Sequence, residues 1–368
     1  MTNKNLVDSI NSILKSSLSF AFYFYPGEAE PEVVIQQTGE TQKYRSIPDL
    51  KDAQGFVIAP FAISDKSPLI MIRPDIYVKG VSAIAALELK TTANSLASDT
   101  KSLADDIGKD DYLVLLKKTI AQIKANIFDK VVISRTITTE IPESFDIAQM
   151  LLELKANADN AFVYLISTPE TGIWMGASPE ILLSKKNKNY QTVSLAGTVP
   201  LKKARSYKWS VKSKREQEIV TKFIESQLIN FKIHDFIRKG PFTEPASWVA
   251  HLKTTFEFSI DKLNGQFSSF VDAIHLSPAV CGNPKDEAKA FIIQNETHRR
   301  EYYTGFLGAW NLEQKLQLFV NIRCLKIIGR KAVLFVGGGI TANSVPEKEW
   351  EETNDKAKTL LSIISNRR

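Results

Sequence analysis

The chain has 368 residues, 43% hydrophobic and 24% charged, and 47 basic against 41 acidic residues give a net charge of +6. That is the composition of a soluble globular protein, long enough for one large α/β domain or two ordinary ones. Cys281 and Cys324 are the only cysteines, which excludes a disulfide framework and a cysteine zinc motif, and the modest positive excess argues for a small anionic substrate rather than nucleic acid.

The longest early apolar run, residues 18–25, is rich in aromatics, lacks a small-residue cleavage site and follows Asp8 and Lys15. Neither a membrane span nor a signal peptide is expected, and a cytoplasmic location is. Through the first hundred residues, short apolar runs ("SFAFYFY", "GFVIAPFA", "PLIMIRPD") alternate with Pro, Gly and Asp turns, which predicts β-strands. Tyr112, Leu113, Leu116, Ile120, Ile123 and Ile127 recur every three or four residues and predict an amphipathic helix. "KVVISRTITTEI", from Lys130, predicts a β-branched strand; a helix follows over roughly 147–155, then strands "AFVYLIST", "GIWMGAS" and "NYQTVSLAG".

The basic stretch "LKKARSYKWSVKSKR", residues 201–215, has no nucleic-acid-binding motif beside it and reads as a solvated loop. A helix opening near Ser213 carries Ile219, Val220, Phe223, Ile224 and Leu228. The last third predicts strands "LQLFVNIRCLKII" and "AVLFVGGG" before a terminal helix. Short turns between successive strands favour antiparallel or mixed sheets. The expected fold class is α/β (α+β), in one domain over 1–368.

Residues 333–358, "VLFVGGGITANSVPEKEWEETNDKAK", match at Gly337, Gly339 and Ala342 the G-x-G-x-x-A spacing of a dinucleotide turn. Such a turn needs a helix opening directly after the glycines, so that its amides face a pyrophosphate. Here residues 342–346 intervene. The helix start is read at Ser344, with Ser344-x-x-Glu347 as a capping box. A first turn holding Glu347, Glu349 and Glu351 repels phosphate, so the nucleotide reading is rejected. The glycines instead let bare backbone approach a ligand, beside a helix face carrying Glu349, Glu352 and Lys356. Taken alone, Glu352 and Lys356 form an exposed i,i+4 pair worth ~0.3–0.5 kcal/mol.

Nine segments in order ("KVVISR", "GASPEIL", "LAGT", "REQEIV", "HLKTTF", "REYYTGFLGAW", "NIRC", "GGGI" and "EWEETNDK") resemble the chorismate-utilising enzymes. That superfamily includes isochorismate, salicylate, anthranilate and aminodeoxychorismate synthases. The segments cover about residues 110–360, and their shared order is far more specific than any one of them. The resemblance implies a single large domain of two packed, mostly antiparallel sheets with helices on the outside. It also implies chorismate as the small-molecule substrate and Mg²⁺ as the cofactor. Residues 1–110 carry no such likeness.

Carried over position by position, the resemblance implies Lys130 as general base and Glu180 as general acid. A lysine base must shed a proton ordinarily held to about pH 10.4, and a glutamic acid must keep one ordinarily lost near about 4.3. The pair therefore requires surroundings that push the two groups in opposite directions. Glu216 and Glu352 fall at the positions of magnesium carboxylates, which suits an ion that takes one or two protein carboxylates, water and an anionic substrate. Glu216 has a rival role, because Ser213-x-x-Glu216 is also a capping box. Gly197, Thr198, His251, Ala279, Tyr303, Arg323, Gly337 and Lys356 fall at substrate-binding positions, with Arg323 suited to bidentate carboxylate binding. Glu349 matches a further acidic position.

Lys130 separates the branches, since amine-transferring members generally lack it. "SLAGT" also lacks the lysine that aminodeoxychorismate synthases place before Gly-Thr. The resemblance thus implies an isomerase of the hydroxymutase type, an isochorismate synthase feeding menaquinone or siderophore biosynthesis. The alternatives are a salicylate synthase, which tends to be a longer chain, and a non-catalytic chorismate-binding relative, which the presence of Lys130, Glu180, Glu216 and Glu352 disfavours. A monomer is expected, with no nucleic-acid or membrane partner. The chain departs from the pattern at Leu276, where proline is common, at Cys281 within the same turn, and in the basic stretch after Thr198.

Overall fold

In the computed structural model, which describes residues 3–89, 106–143, 145–200, 209–246 and 249–365, the aromatic and β-branched runs become two nine-stranded sheets. Every pairing between these strands is antiparallel. Across the first sheet the order is Gly282–Asn283, Lys130–Glu140, Lys331–Ile340, Cys324–Ile328, Gly172–Ser178, Phe162–Thr168, Ser19–Phe24, Glu32–Gln36 and Ile76–Lys79. Across the second it is Ile237–Ala246, Val249–Ser259, Asn189–Pro200, Ile181–Lys186, Lys315–Val320, Phe306–Leu312, Gly55–Ala59, Leu69–Ile72 and Gln42–Tyr44.

The inner faces pack on one another through an aromatic seam. Phe162 of the first sheet stacks on Phe319 of the second, with ring centroids 4.2 Å apart and planes 4° from parallel. Helices Asn3–Lys15, Ile147–Asn157 and Pro346–Ser365 cover the outer face of the first sheet. Val211–Asn230 and Phe267–Ile274 cover the second. Because both faces are covered, Ser19–Phe24 and Phe162–Thr168 are buried along their whole length. That is why they read as unbroken apolar runs rather than as alternating strands. Helices Lys109–Lys124 and Lys285–Asn295 pack over the end of the first sheet that holds Lys130–Glu140. None of the described helices is long and apolar enough to cross a membrane.

Four sequence expectations need correction. "LQLFVNIRCLKII" is two strands in different sheets, Lys315–Val320 and Cys324–Ile328, separated by a crossing at Asn321–Arg323. Arg323 turns that corner with φ of 54°, a left-handed conformation that no glycine or proline in the sequence announces. The helix expected near Ser213 spans Val211–Asn230 and is capped by Ser210, whose hydroxyl accepts from Ser213 N at 3.1 Å. Glu216 therefore has no capping role. The last helix starts at Pro346, and Ser344 Oγ accepts from Thr341 N at 3.1 Å, so the hydroxyl closes a turn instead of forming a box with Glu347. Finally, the first hundred residues also contain the helix Asn3–Lys15, buried through Leu6, Ile10 and Ile13.

Candidate active site

The crossings between the sheets deliver two of the charged side chains. The chain leaves the first sheet after Ser178 and enters the second at Ile181, which sets Glu180 at the crossing. It returns from the second sheet to the first through Asn321–Arg323. The two crossings lie side by side: Ser178 Oγ donates to Val320 O at 2.5 Å, Val320 N to Glu180 O at 2.9 Å, and Ala177 N to Arg323 O at 3.1 Å.

A third contribution comes from the paired strands Lys130–Glu140 and Lys331–Ile340, in which Gly337 faces Ser134 and Gly339 faces Val132. A β-carbon on Gly337 would stand 3.0 Å from the Tyr303 hydroxyl. One on Gly339 would stand 2.7 Å from Lys130 Cε and collide with Glu216 Oε1. The glycines are needed for close approach, and the close neighbours include Lys130 and Glu216 as well as any ligand.

These elements enclose a cavity of about 780 Å³, its open mouth included. Lys130, Glu180, Gly197, Glu216, His251, Ala279, Tyr303, Arg323, Gly337, Glu352 and Lys356 all line it. Of the residues singled out in the sequence, the Thr198 side chain alone lies outside the described residues; its backbone pairs with His251. Residues 201–208 of the basic stretch are likewise outside them.

Lys130 is 2% exposed, and its Nζ lies 3.9 Å from Glu216 Oε1. Burial pushes its ammonium below the ordinary lysine value; Glu216 opposes that shift, and Lys212 and Lys356 reinforce it. Glu180 moves the other way. Burial raises its carboxyl from 4.5 to about 8, with Lys130 pulling weakly against the change. Burial also lowers His251 to about 3, with Arg323 adding to the effect, so the ring is neutral and its Nδ1–H points at Gly197 O, 2.9 Å away.

The acidic face of the last helix is closed by lysines. Lys356 Nζ meets Glu352 Oε1 at 2.7 Å and donates to Gly337 O at 2.7 Å. The i,i+4 pair lines the cavity instead of standing on an open helix surface, so its contact carries more weight than a solvated pair. Burial favours the neutral form of Glu352, but Lys356 and Lys212 outweigh it and hold the carboxyl low. Glu349 pairs with Lys212 and is nevertheless raised, by burial first, with Glu352 adding repulsion. Sequence reasoning missed Lys212 by treating 201–215 as solvated. The available signal was its place four residues before Glu216, on the same helix face.

Magnesium fits these donors. Glu216 and Glu352 both offer hard carboxylate oxygens to the cavity, and the neighbouring Oε2 of Glu349 is buried with no hydrogen-bond partner. Among the described residues no cluster of three His, Cys, Asp or Glu side chains could hold a metal by itself. Two carboxylates, with water and an anionic ligand completing the shell, match magnesium's usual habit.

A family profile described as "Chorismate binding enzyme" matches residues 54–365. The chain is 30% identical to the isochorismate synthase EntC of Escherichia coli K12 over 248 residues, 64% of this chain and 62% of that protein. To the isochorismate synthase MenF of the same organism it is 28% identical over 268 residues, 71% of this chain and 61% of that one. The matched part is thus about three-fifths of each relative's length. Among solved structures, a Bacillus anthracis protein bearing the name DhbC superposes with a TM-score of 0.78. That match covers 99% of both chains at 22% identity and speaks for the fold.

Proposed function

The chain belongs to the chorismate-binding enzymes, and we propose that within this family it is a magnesium-dependent isochorismate synthase. The observation that carries the proposal is the opposed pair in one cavity: Lys130 held below its ordinary range, and Glu180 held up to about 8. Near neutral pH such a pair can present an amine that accepts a proton and a carboxylic acid that donates one, as hydroxyl transposition requires.

Lys130 would take a proton from the water that attacks C2 of chorismate. The ring double bonds shift, and the C4–O bond breaks. Glu180 would donate its proton to the departing C4 oxygen, so that water leaves. Water enters and water leaves, which makes the change an isomerisation, and return of the proton from Lys130 to Glu180 resets the site. Arg323 and His251 would contact the substrate's polar groups, with Gly197 and Gly337 offering backbone. Tyr303 and Ala279 would bound the ring.

Glu216 and Glu352 would hold magnesium, which when bound supplies positive charge to a substrate carboxylate and acts as a Lewis acid. Lys356 would supply charge on the same side. The product is of the kind used for menaquinone or for a catechol siderophore.

The test is to incubate purified protein with chorismate and Mg²⁺, with EDTA as control, and to separate the products. A metal-dependent mixture of chorismate and isochorismate is expected. Salicylate with pyruvate would move the chain to the salicylate branch, and absence of any product would refute the catalytic reading.

A further inference from the structure

The segment "KVVISR" ends in an arginine to which the proposed reaction gives no task. Arg135 is 4% exposed and lies on the strand Lys130–Glu140. Side chains alternate along a strand. Lys130 and Val132 line the cavity, whereas Arg135 belongs with Val131 and Ile133 on the other face. There its Nε donates to Thr353 Oγ1 at 3.0 Å and its Nη2 to Asn354 Oδ1 at 2.6 Å. Its guanidinium carbon sits 3.8 Å from the centre of the Trp350 ring and 5.9 Å from that of Tyr112.

Trp350, Thr353 and Asn354 stand at i, i+3 and i+4 on the helix Pro346–Ser365, so one guanidinium grips a single helical face. Glu349 and Glu352 each precede a gripped residue by one position, which puts them on the adjoining face, and Glu352 lines the cavity. Arg135 donates to a hydroxyl and an amide and lies against two rings, while the carboxylates of Asp106 and Glu351 act on it at longer range. A guanidinium stays charged when buried, and its desolvation is best offset while those hydrogen-bond and ring partners are in place. Rotating the helix by one residue would turn it about 100° and carry Thr353 and Asn354 out of reach. The buried charge therefore selects one rotation of the helix.

We propose that Arg135 is a positioning residue that sets the rotation of the helix bearing Glu352 and Lys356 against the strand bearing Lys130. Through it, Arg135 sets the affinity of the Glu216–Glu352 site for its divalent cation. The inference rests on the assignment of those two carboxylates to magnesium.

Four variants separate the possibilities. Arg135→Met removes the fork and keeps the stem, and Arg135→Lys keeps the charge without the planar fork. Thr353→Val and Asn354→Ala remove the acceptors from the helix side. The Mn²⁺ dissociation constant is measured by water-proton relaxation without chorismate, alongside far-UV circular dichroism and amide exchange over residues 346–365. Both Arg135 variants are expected to bind Mn²⁺ about ten-fold or more weakly, as when a group supporting a metal ligand is lost. Exchange should quicken in that helix alone, with the overall dichroism unchanged. A merely structural role would lower the melting temperature and leave the Mn²⁺ constant within about two-fold, and that result in folded protein overturns the proposal. If Arg135→Met does not fold, the Thr353→Val and Asn354→Ala variants decide by the same criterion. Unaltered protein that fails to bind Mn²⁺ overturns the metal assignment and this inference with it. Unaltered protein that binds Mn²⁺ but makes no isochorismate sinks only the proposed reaction.

Discussion

Lys130 Nζ stands 3.9 Å from Glu216 Oε1, so the proposed base and a proposed metal ligand are charge partners inside one buried cavity. The contact exists because residue 339 is glycine: a side chain there would occupy the space of both. Lys130 is nonetheless held below its ordinary value, because burial and the facing cations Lys212 and Lys356 outweigh Glu216. With the proposed roles, acid–base tuning and metal binding would be coupled through a single carboxylate.

Replacing Lys130 by Ala, or Glu180 by Gln, removes one proton-transfer partner. Each change should lower kcat by ~10²–10⁴ while leaving the circular dichroism spectrum unaltered. Steady-state assay of chorismate consumption checks this. Turnover near the unaltered value in either variant would exclude that residue from the proton transfers.

Glu180 also predicts a stability effect of definite sign. Its folded-state carboxyl titrates at about 8 and the ordinary value is 4.5. Between those limits the folded protein holds a proton that the unfolded chain has lost. Stability therefore falls as pH rises through the window, and the penalty is complete above about 8. Glutamine carries no such penalty. Glu180→Gln should match the unaltered protein at pH 4 and exceed it at pH 9, by at most about 5 kcal/mol, the whole separation at 1.36 kcal/mol per pH unit. Urea unfolding at the two pH values measures it; a variant less stable at pH 9 would mean that the carboxyl is ionised without strain.

Gly339→Ala introduces a methyl group against Glu216 and 2.7 Å from Lys130 Cε. Both obstacles are ends of flexible side chains, so the protein should fold with a loss of only about 1–3 kcal/mol. Displacing them should reduce turnover by at least about ten-fold and weaken Mg²⁺ dependence. Normal kcat and an unchanged Mg²⁺ titration would show that the site has slack.

Lys212 shields Glu349, whose other oxygen is buried without a partner. Lys212→Met should cost about 2–4 kcal/mol, somewhat discounted from a fully buried pair because the lysine is partly exposed. Adding Glu349→Gln should recover much of it. A double-mutant cycle by urea denaturation reports the coupling, and additive single effects would mean that the pair is not coupled in solution.

Much of this was legible in local chemistry. The 3–4 spacing of Tyr112, Leu116, Ile120 and Ile123 marked a helix that runs Lys109–Lys124, and "KVVISRTITTEI" marked the strand Lys130–Glu140. The charged residues of the motifs were legible through the family resemblance, since the local chemistry of a strand-edge lysine or a turn glutamate fits a solvated surface equally well. Capping was less legible. Ser210 and Ser213 are both competent caps by local rules, and packing of the helix decided for Ser210, leaving Glu216 to face the cavity.

Segment type was written locally, because propensity and periodicity act over a few residues, and the motif resemblance marked which side chains stand at chemical positions. The break of "LQLFVNIRCLKII" at Arg323 to join two sheets, and the reach of Lys212 to Glu349 across 137 residues of chain, emerged in the folded chain alone. So did the burial of Lys130 and Glu180. Those outcomes depend on strand pairing and burial, which are sums over contacts distant in sequence, and no local pattern encodes them.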